Sequence, residues 1–500
     1  MRVMLALLFL LSLCSARAPV GADTLPTAQD IRDKAAAAAG PVPENYRQTI
    51  VGTGSLGDTK IVTFHSGDDV RSTFDRGTYH SESGTYHGEH WRQDYNGLAL
   101  LVIDDPGNAV KDAFTTTVTH VTQPIDAYEI ADVSARAGGT RKYFDTTTYR
   151  QIREEDFGST GTVITTYDAF GQFGERTLPA RWTVSSRESN LEMHYQRTEY
   201  VAGGATGTDV QETTTRRSLI QFPAGVAAVD LPVKVVDHAI YVRVNIGSRA
   251  VDLELDTGAS GIVLDPEVAR STGLVLTNAT STVAAERYTS YDATIPEMRI
   301  GPLQMHDIAV DVAPIPAQGK NGVKPVGLLG FDFLAQLGLT LDYQHEQVRV
   351  VPAATFTPPN DPSTVVFDVR LGGGVPMVTV SVGDAIAERV ICDTGASAQL
   401  VFLDYFTRRY PNAFRIDEGP AEMLGVGGRF TGEVFRLHDV SLGTLHLQDF
   451  VAVRVPSTAF PYNADGFIGN ELLSLFTVAL DYTHGHIYLT PNDATKRAMH

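Results

Sequence analysis

The sequence predicts a mainly β protein, with a separate antiparallel β domain in front of one β-rich unit that is present twice. Three observations carry this. The pentapeptide Asp-Thr-Gly-Ala-Ser runs from Asp256 to Ser260 and again from Asp393 to Ser397, each time behind a run of β-type apolar residues. A longer repeat surrounds both copies, and fixed-period self-similarity of this kind marks a repeated structural unit. Residues 43–220 alternate Thr, Val, Tyr and Phe with Gly-containing turns, the pattern of antiparallel strands.

At the N-terminus, Met1-Arg2 precedes a mostly apolar run from Val3 to Leu13, which predicts a signal peptide over residues 1–22 and is too short to span a bilayer. Val20-Gly21-Ala22 offers a cleavage point before Asp23, and Ala16-Arg17-Ala18 a second one. Cys14 invites a lipoprotein reading, but Leu13 stands where a small residue is wanted. The protein is therefore expected to be exported, periplasmic or secreted. The helix and linker expected over residues 23–42 centre on the Ala-rich stretch from Thr27 to Ala39, with Thr27 as N-cap and Gly40 as stop.

The β-rich accessory domain, residues 43–220, contains Tyr86-His87-Gly88-Glu89-His90. Two histidines invite a metal reading, but they lack the spacing of a helical zinc site, and strand geometry would point them to opposite faces. No metal and no cofactor are expected. The stretch Gly84–Gly97 and the segment Leu178-Pro-Ala-Arg-Trp182 resemble the curved-sheet domains of periplasmic lipoprotein carriers. That resemblance implies a concave sheet open to an acyl chain, a peptide or the chain's own C-terminal half.

The duplicated units occupy residues 229–354 and 364–495. Ile240-Tyr-Val-Arg-Val-Asn-Ile-Gly247 before the first pentapeptide parallels Met377-Val-Thr-Val-Ser-Val-Gly383 before the second. Downstream, Gly327-Leu-Leu-Gly-Phe-Asp parallels Gly466-Phe-Ile-Gly-Asn-Glu, and Leu341–Pro352 aligns without a gap to Leu480–Pro491. The inner glycines lie 74 and 76 residues beyond their aspartates (330 − 256 and 469 − 393). The Pro- and Thr-rich stretch from Thr355 to Ser363 joins the two.

These paired turns and apolar-apolar-Gly motifs resemble aspartic proteases, and the compact unit is more similar to retropepsins than to the larger pepsin lobes. The resemblance implies two duplicated β-barrel lobes in a bilobal protease, each giving one aspartate to a site at their interface. Retropepsins homodimerise to reach this state. Here one chain holds both halves, so a monomer with an intramolecular pseudo-twofold dimer is expected. The resemblance assigns Asp256 and Asp393 as the catalytic pair. It makes Thr257 and Thr394 the hydroxyls that cross-link beneath them, and Gly258 and Gly395 the residues that let backbone approach the carboxylates.

The chemistry agrees with those residue types. Two carboxyl groups within about 3 Å cannot both ionise, so one keeps a proton while the other acts as base toward water. Where pepsins carry a hydroxyl after the triplet, this chain has Ala259 and Ala396. Losing a donor to the ionised form should raise the pair's titration toward weakly acidic or neutral pH. Lids over the cleft are expected at the hairpin carrying Gly427 and Gly428 and at the one carrying Tyr288 or Tyr291, where either tyrosine also fits a half-buried strand position. The partner expected is a peptide or protein in an extended conformation.

The formal net charge of −19 argues against nucleic acid and anionic membrane surfaces as partners. No later stretch is long and apolar enough for stable membrane insertion. With Cys14 removed alongside the signal, Cys392 is left alone, expected as a small buried residue beside Asp393. The accessory domain reads equally as a propeptide, with Arg216-Arg217 as a processing point, or as a permanent recruiting module. A non-catalytic peptide- or lipid-binding protein on the same scaffold is the alternative function.

Overall fold

The computed structural model describes residues 25–102, 114–123, 125–134, 138–158, 161–187, 190–213, 217–283, 287–315, 325–372, 374–414, 416–425, 428–448, 450–456 and 464–499. The expected signal peptide with Cys14, the processing residue Arg216 and the lid residue Gly427 lie outside the described residues. The protein is mainly β, with large antiparallel sheets.

The helix Ala28–Ala39 starts on a capping box. Thr27 Oγ1 accepts from the Asp30 amide at 3.1 Å while the Asp30 carboxylate accepts from the Thr27 amide at 3.1 Å. Gly40 ends it at φ +83°, and a Cβ there would lie 2.6 Å from the Glu175 carbonyl oxygen, so glycine is required on both counts. The helix buries Ile31 against Ile130 and Phe144 of the sheet beneath it.

That sheet is an antiparallel array of 13 strands among the described residues. Hairpins lead outward from Asn45–Gly54 to the edge strand Ala99–Val102, and back from the other edge, Phe114–Val121, to Leu191–Ala202. The first and last strands pair in the middle, Gln48 opposite Tyr200 and Gly52 opposite Tyr195. The chain then crosses to the next sheet, where Ile220–Gln221 pairs with Gln304 and Met305. Ile220, the last residue that sequence assigned to the accessory domain, thus hydrogen-bonds within the following unit.

The two repeats fold with matching strand pairings. In the first, the hairpin Ala239–Ile246 and Arg249–Leu255 ends with Leu255 parallel to Leu329, and Ile262–Leu264 runs antiparallel to Gly327–Leu329. In the second, Val375–Val382 and Ala385–Cys392 end with Cys392 parallel to Ile468, and Leu400–Leu403 pairs antiparallel with Gly466–Ile468. The closing strands Leu337–Asp342 and Phe476–Asp481 pair with each other across the units. Thr340 lies directly opposite Ala479, its own equivalent in the gapless alignment (479 − 340 = 481 − 342 = 139), so this ladder is symmetric about that pair.

One apolar core crosses the junction. Leu255, Leu329 and Phe331 of the first unit belong to the same buried cluster as Cys392, Ile468 and Phe476 of the second. Burying each Leu or Phe stabilises the fold by roughly 1.5–3 kcal/mol, so the join rests on core packing as well as on a ladder. The N-terminal sheet docks on the first unit through polar contacts: Arg76 pairs with Asp292, and the Asn96 side chain exchanges two hydrogen bonds with the Ala309 backbone, at 2.9 and 2.8 Å.

Candidate active site

Each pentapeptide turn begins where a central strand ends. The Asp256 amide donates to the Leu329 carbonyl at 3.2 Å and the Asp393 amide to the Ile468 carbonyl at 2.9 Å, so the apolar-apolar-Gly motifs hold both aspartates by their backbone. Gly330 and Gly469 are needed for this. A Cβ on Gly330 would meet the Ala259 and Gly261 carbonyl oxygens at 2.4 Å, and one on Gly469 the Ala398 oxygen at 2.2 Å.

The threonines cross-link the two turns. Thr257 donates its amide to Thr394 Oγ1 at 3.0 Å and its hydroxyl to the Cys392 carbonyl at 2.6 Å. Thr394 reciprocates, amide to Thr257 Oγ1 at 2.9 Å and hydroxyl to the Leu255 carbonyl at 2.7 Å. Both are buried at 1% exposure, so four satisfied bonds replace polar groups that would otherwise be costly to bury.

This clamp sets the aspartates face to face. A Cβ on Gly258 would sit 2.6 Å from Asp393 Cγ, and one on Gly395 2.6 Å from Asp256 Cγ. No side chain fits between each turn and the opposite carboxyl. Gly258 donates its amide to Asp256 Oδ1 at 2.8 Å; Asp393 Oδ1 receives the Gly395 amide at 2.8 Å and the Ala396 amide at 3.2 Å.

The pair is electrostatically unequal. Burial raises Asp256 well above an ordinary carboxyl, and the charges of Asp393 and Glu254 add to it. Burial raises Asp393 too, but the amides of Gly395, Ala396 and Gly258 and the hydrogen bond from Asp256 oppose that shift. More amides face Asp393 than Asp256, which favours the ionised form at Asp393. Neighbouring Cys392 is 3% exposed, and burial pushes its thiol up to about 12, so it remains an uncharged apolar filler.

Of the expected lid residues, Gly428 begins the strand Gly428–Leu437, paired with Gly425 across a hairpin tip. Tyr288 and Tyr291 sit on the strand Arg287–Ile300, with Tyr288 opposite Thr282 near the hairpin end. Tyr291 is half-buried against the core, under the Arg270 guanidinium at 6.0 Å, the structural role also considered for it. His87 lies in a turn at φ +52° with its amide on Asp69, and His90 Nδ1 bonds Thr85 Oγ1 at 2.8 Å.

Sequence reasoning missed what lies beside the first turn. A cavity of about 170 Å³ is lined by Ser260, Gly261 and Asp332 of the first unit, Gly374 of the second, and Asp94 and Tyr95 of the N-terminal sheet. Asp332 is 5% exposed; burial and then the charge of Asp94 push it up to about 7, although its hydrogen bonds from Asn96 and Ile262 oppose the shift. Its place two residues after the Gly330 motif was a usable signal; the arrival of Asp94 from a distant sheet was not.

Residues 240–333 match the model of the aspartyl protease family. The chain thus contains an aspartyl protease-like domain. No curated protein matches. Among solved structures, the aspartic proteinase from Irpex lacteus is 14% identical with a TM-score of 0.35, covering 54% of this chain and 98% of its own. Basic 7S globulin from soybean is 8% identical with a TM-score of 0.36, covering 55% and 97%. A LolA superfamily protein from Nitrosomonas europaea is 11% identical with a TM-score of 0.29, covering 38% and 99%.

Proposed function

We propose that the chain is an aspartic endopeptidase that hydrolyses a peptide bond of an extended polypeptide through one water activated by Asp256 and Asp393. The observation that carries this is the reciprocal Thr257–Thr394 clamp, which brings two aspartates from duplicated turns together. In this reading residues 229–354 and 364–495 are the two lobes of a single-chain pseudo-dimer. The hairpins carrying Tyr288 and Gly428 close over the substrate. Export rests on the Val3–Leu13 run.

Ionised Asp393 removes a proton from water as its oxygen attacks the amide carbon, and Asp256 gives its proton to the carbonyl oxygen. A tetrahedral gem-diol forms. Asp393, now protonated, delivers that proton to the leaving nitrogen as the C–N bond breaks, and Asp256 regains its own from a diol hydroxyl. No acyl-enzyme arises, and the dyad ends as it began.

Substrate profiling tests the reading. Wild-type protein should cleave members of a peptide library, and Asp256→Asn and Asp393→Asn should each lose at least about 10²-fold in rate, the scale of general acid–base catalysis, with unchanged thermal unfolding. A folded wild type that cleaves nothing between about pH 3 and 8, the span such dyads cover, would favour the binding-protein alternative.

A further inference from the structure

Outside the duplicated half, the centre of the N-terminal sheet holds two arginines without an acidic partner among the described residues. The pairing of Asn45–Gly54 with Leu191–Ala202 slips by one residue, Thr49 opposite Glu199 but Ile50 opposite Arg197. An extra residue in one strand re-aims the side chains beyond it, so Arg197 and Tyr200 come to the same face. Directly opposed residues share a face, which adds Gln48 beside Tyr200 and Trp182 beside Tyr195.

The side chains there form a cluster of rings around the two guanidinium groups. Tyr46 stacks on Tyr200 at 5.1 Å and Trp182 on Tyr195 at 5.6 Å. The Arg197 guanidinium lies 5.6 Å from the ring centres of both Phe173 and Trp182, and that of Arg176 lies 5.9 Å from Tyr200. Among the described residues, every hydrogen bond these arginines make goes to a neutral group. Arg197 donates to Gln48 Oε1 at 3.2 Å and to the Pro179 carbonyl, and Arg176 donates to the Tyr200 hydroxyl at 3.4 Å. The Arg176 Nε is buried with no hydrogen-bond partner among the described residues.

Several other arginines of the sheet are paired, Arg47 with Glu199 at 2.7 Å, Arg71 with Glu82 at 2.7 Å and Arg153 with Glu155 at 2.8 Å, while Arg92, Arg150 and Arg181 share the lack of an acidic partner among the described residues; only Arg176 and Arg197 lie side by side among stacked rings. Nor is there a shortage of acids, with 59 Asp and Glu against 40 Lys and Arg in the chain. Burial and the neighbouring charge of Arg176 both push Arg197 down from its ordinary value. Two adjacent half-buried cations are unfavourable unless an anion completes them.

We infer that this face is a docking site for a carboxylate-bearing polypeptide segment, held by the Arg176 and Arg197 guanidinium groups beside the rings of Tyr46, Tyr200, Phe173 and Trp182. Guanidinium forks match carboxylates in a bidentate geometry, and flat rings add contact area at small entropic cost. The lining residues are half-buried rather than enclosed, and rings alternate with amide and charged groups. That surface suits an extended peptide laid across it; an acyl tail wants closed apolar walls. The site would hold an acidic stretch of a polypeptide while another stretch enters the cleft. This link to hydrolysis rests on the function proposed above, whereas the binding does not.

The test uses the full chain carrying Asp256→Asn, so that nothing is cleaved. Two fluorescent peptides share one aromatic-rich sequence and differ in having Glu and Asp or Gln and Asn. Anisotropy should show the acidic peptide binding at least tenfold more tightly, with the advantage shrinking as salt rises. Arg176→Gln and Arg197→Gln should each abolish that advantage, and Arg197→Lys should retain part of it. If a Gln variant melts early, the charge and salt dependence on the otherwise unaltered chain still decides. Equal affinity for both peptides, an advantage that survives in the double Gln variant, or arginine-dependent binding of phosphatidylglycerol vesicles in place of peptide would overturn the inference. Cleavage by the wild-type dyad is read separately, so an inactive protease that still prefers the acidic peptide would sink the proposed function alone.

Discussion

The Tyr343 hydroxyl donates a 2.5 Å hydrogen bond to Asn470 Oδ1, whereas Tyr482, its equivalent 139 positions later (482 − 343), stacks on Phe331 and leaves its buried hydroxyl without a partner among the described residues. Both tyrosines lie in the core shared by the two units. The difference is that one unit carries Asn470 where the other carries Phe331.

That asymmetry predicts opposite responses to the same substitution. Tyr343→Phe leaves the Asn470 carbonyl oxygen buried and unmet, at a cost of about 1–3 kcal/mol. Tyr482→Phe removes an unmet hydroxyl and should be neutral or stabilising. Denaturant midpoints of the two variants check this, and equal losses would contradict it.

Replacing either clamp threonine with valine keeps the shape but deletes two hydrogen bonds. Thr394→Val should lower stability by roughly 2 kcal/mol, from bonds worth about 1 kcal/mol each. It should lower kcat more than it alters KM, because the groups lost hold the dyad and not the substrate. Steady-state kinetics beside thermal unfolding gives both readings; a change confined to KM would refute the positioning role.

Gly258→Ala should abolish activity, since the new Cβ would lie 2.6 Å from Asp393 Cγ. The same change at exposed Gly67, with open space around it but φ +63°, should cost only the backbone strain of about 1 kcal/mol. Comparing the two by activity and melting temperature separates crowding at the dyad from a general glycine effect.

Both dyad carboxyls are raised, so the singly protonated pair should persist to higher pH than in a pepsin-like dyad with values of roughly 1.5 and 4.7. The kcat/KM profile should peak at weakly acidic to near-neutral pH. A maximum near about pH 2, in the range of such pepsin-like values, would contradict the burial and alanine arguments together.

Asp332 makes a separate prediction about stability. Its folded value of about 7 lies above its ordinary 3.8, so the native state binds the extra proton. Its contribution to stability should therefore be full below about pH 4 and be lost as pH rises from about 4 to about 7. Asp332→Asn should flatten that decline, as seen in melting temperature against pH; an unchanged slope would show that the carboxyl ionises freely.

Much of the duplicated half was legible because its signals are local or repeated. The Asp-Thr-Gly turns, the apolar-Gly motifs and the gapless closing strands are short patterns, and their second copy removed the ambiguity that each has alone. The helix Ala28–Ala39 was readable for the same reason, from Thr27 and Gly40. The lids were less so, since Tyr288 and Tyr291 lie three residues apart on one strand and nothing local fixes which stands nearer the hairpin end.

By itself, the sequence determined that two equivalent turns exist, what residues they hold and how far behind each its supporting motif lies. Tertiary structure alone decided that the two aspartates are electrostatically unequal, because that depends on Glu254 and on how many amides reach each carboxyl. It also decided that Asp94 meets Asp332 beside the first turn, and that a one-residue slip turns Arg197 toward Tyr200. The reason is physical: turns and strand periods are set by neighbours along the chain, whereas burial and charge at a site are set by residues that only the packed fold brings together.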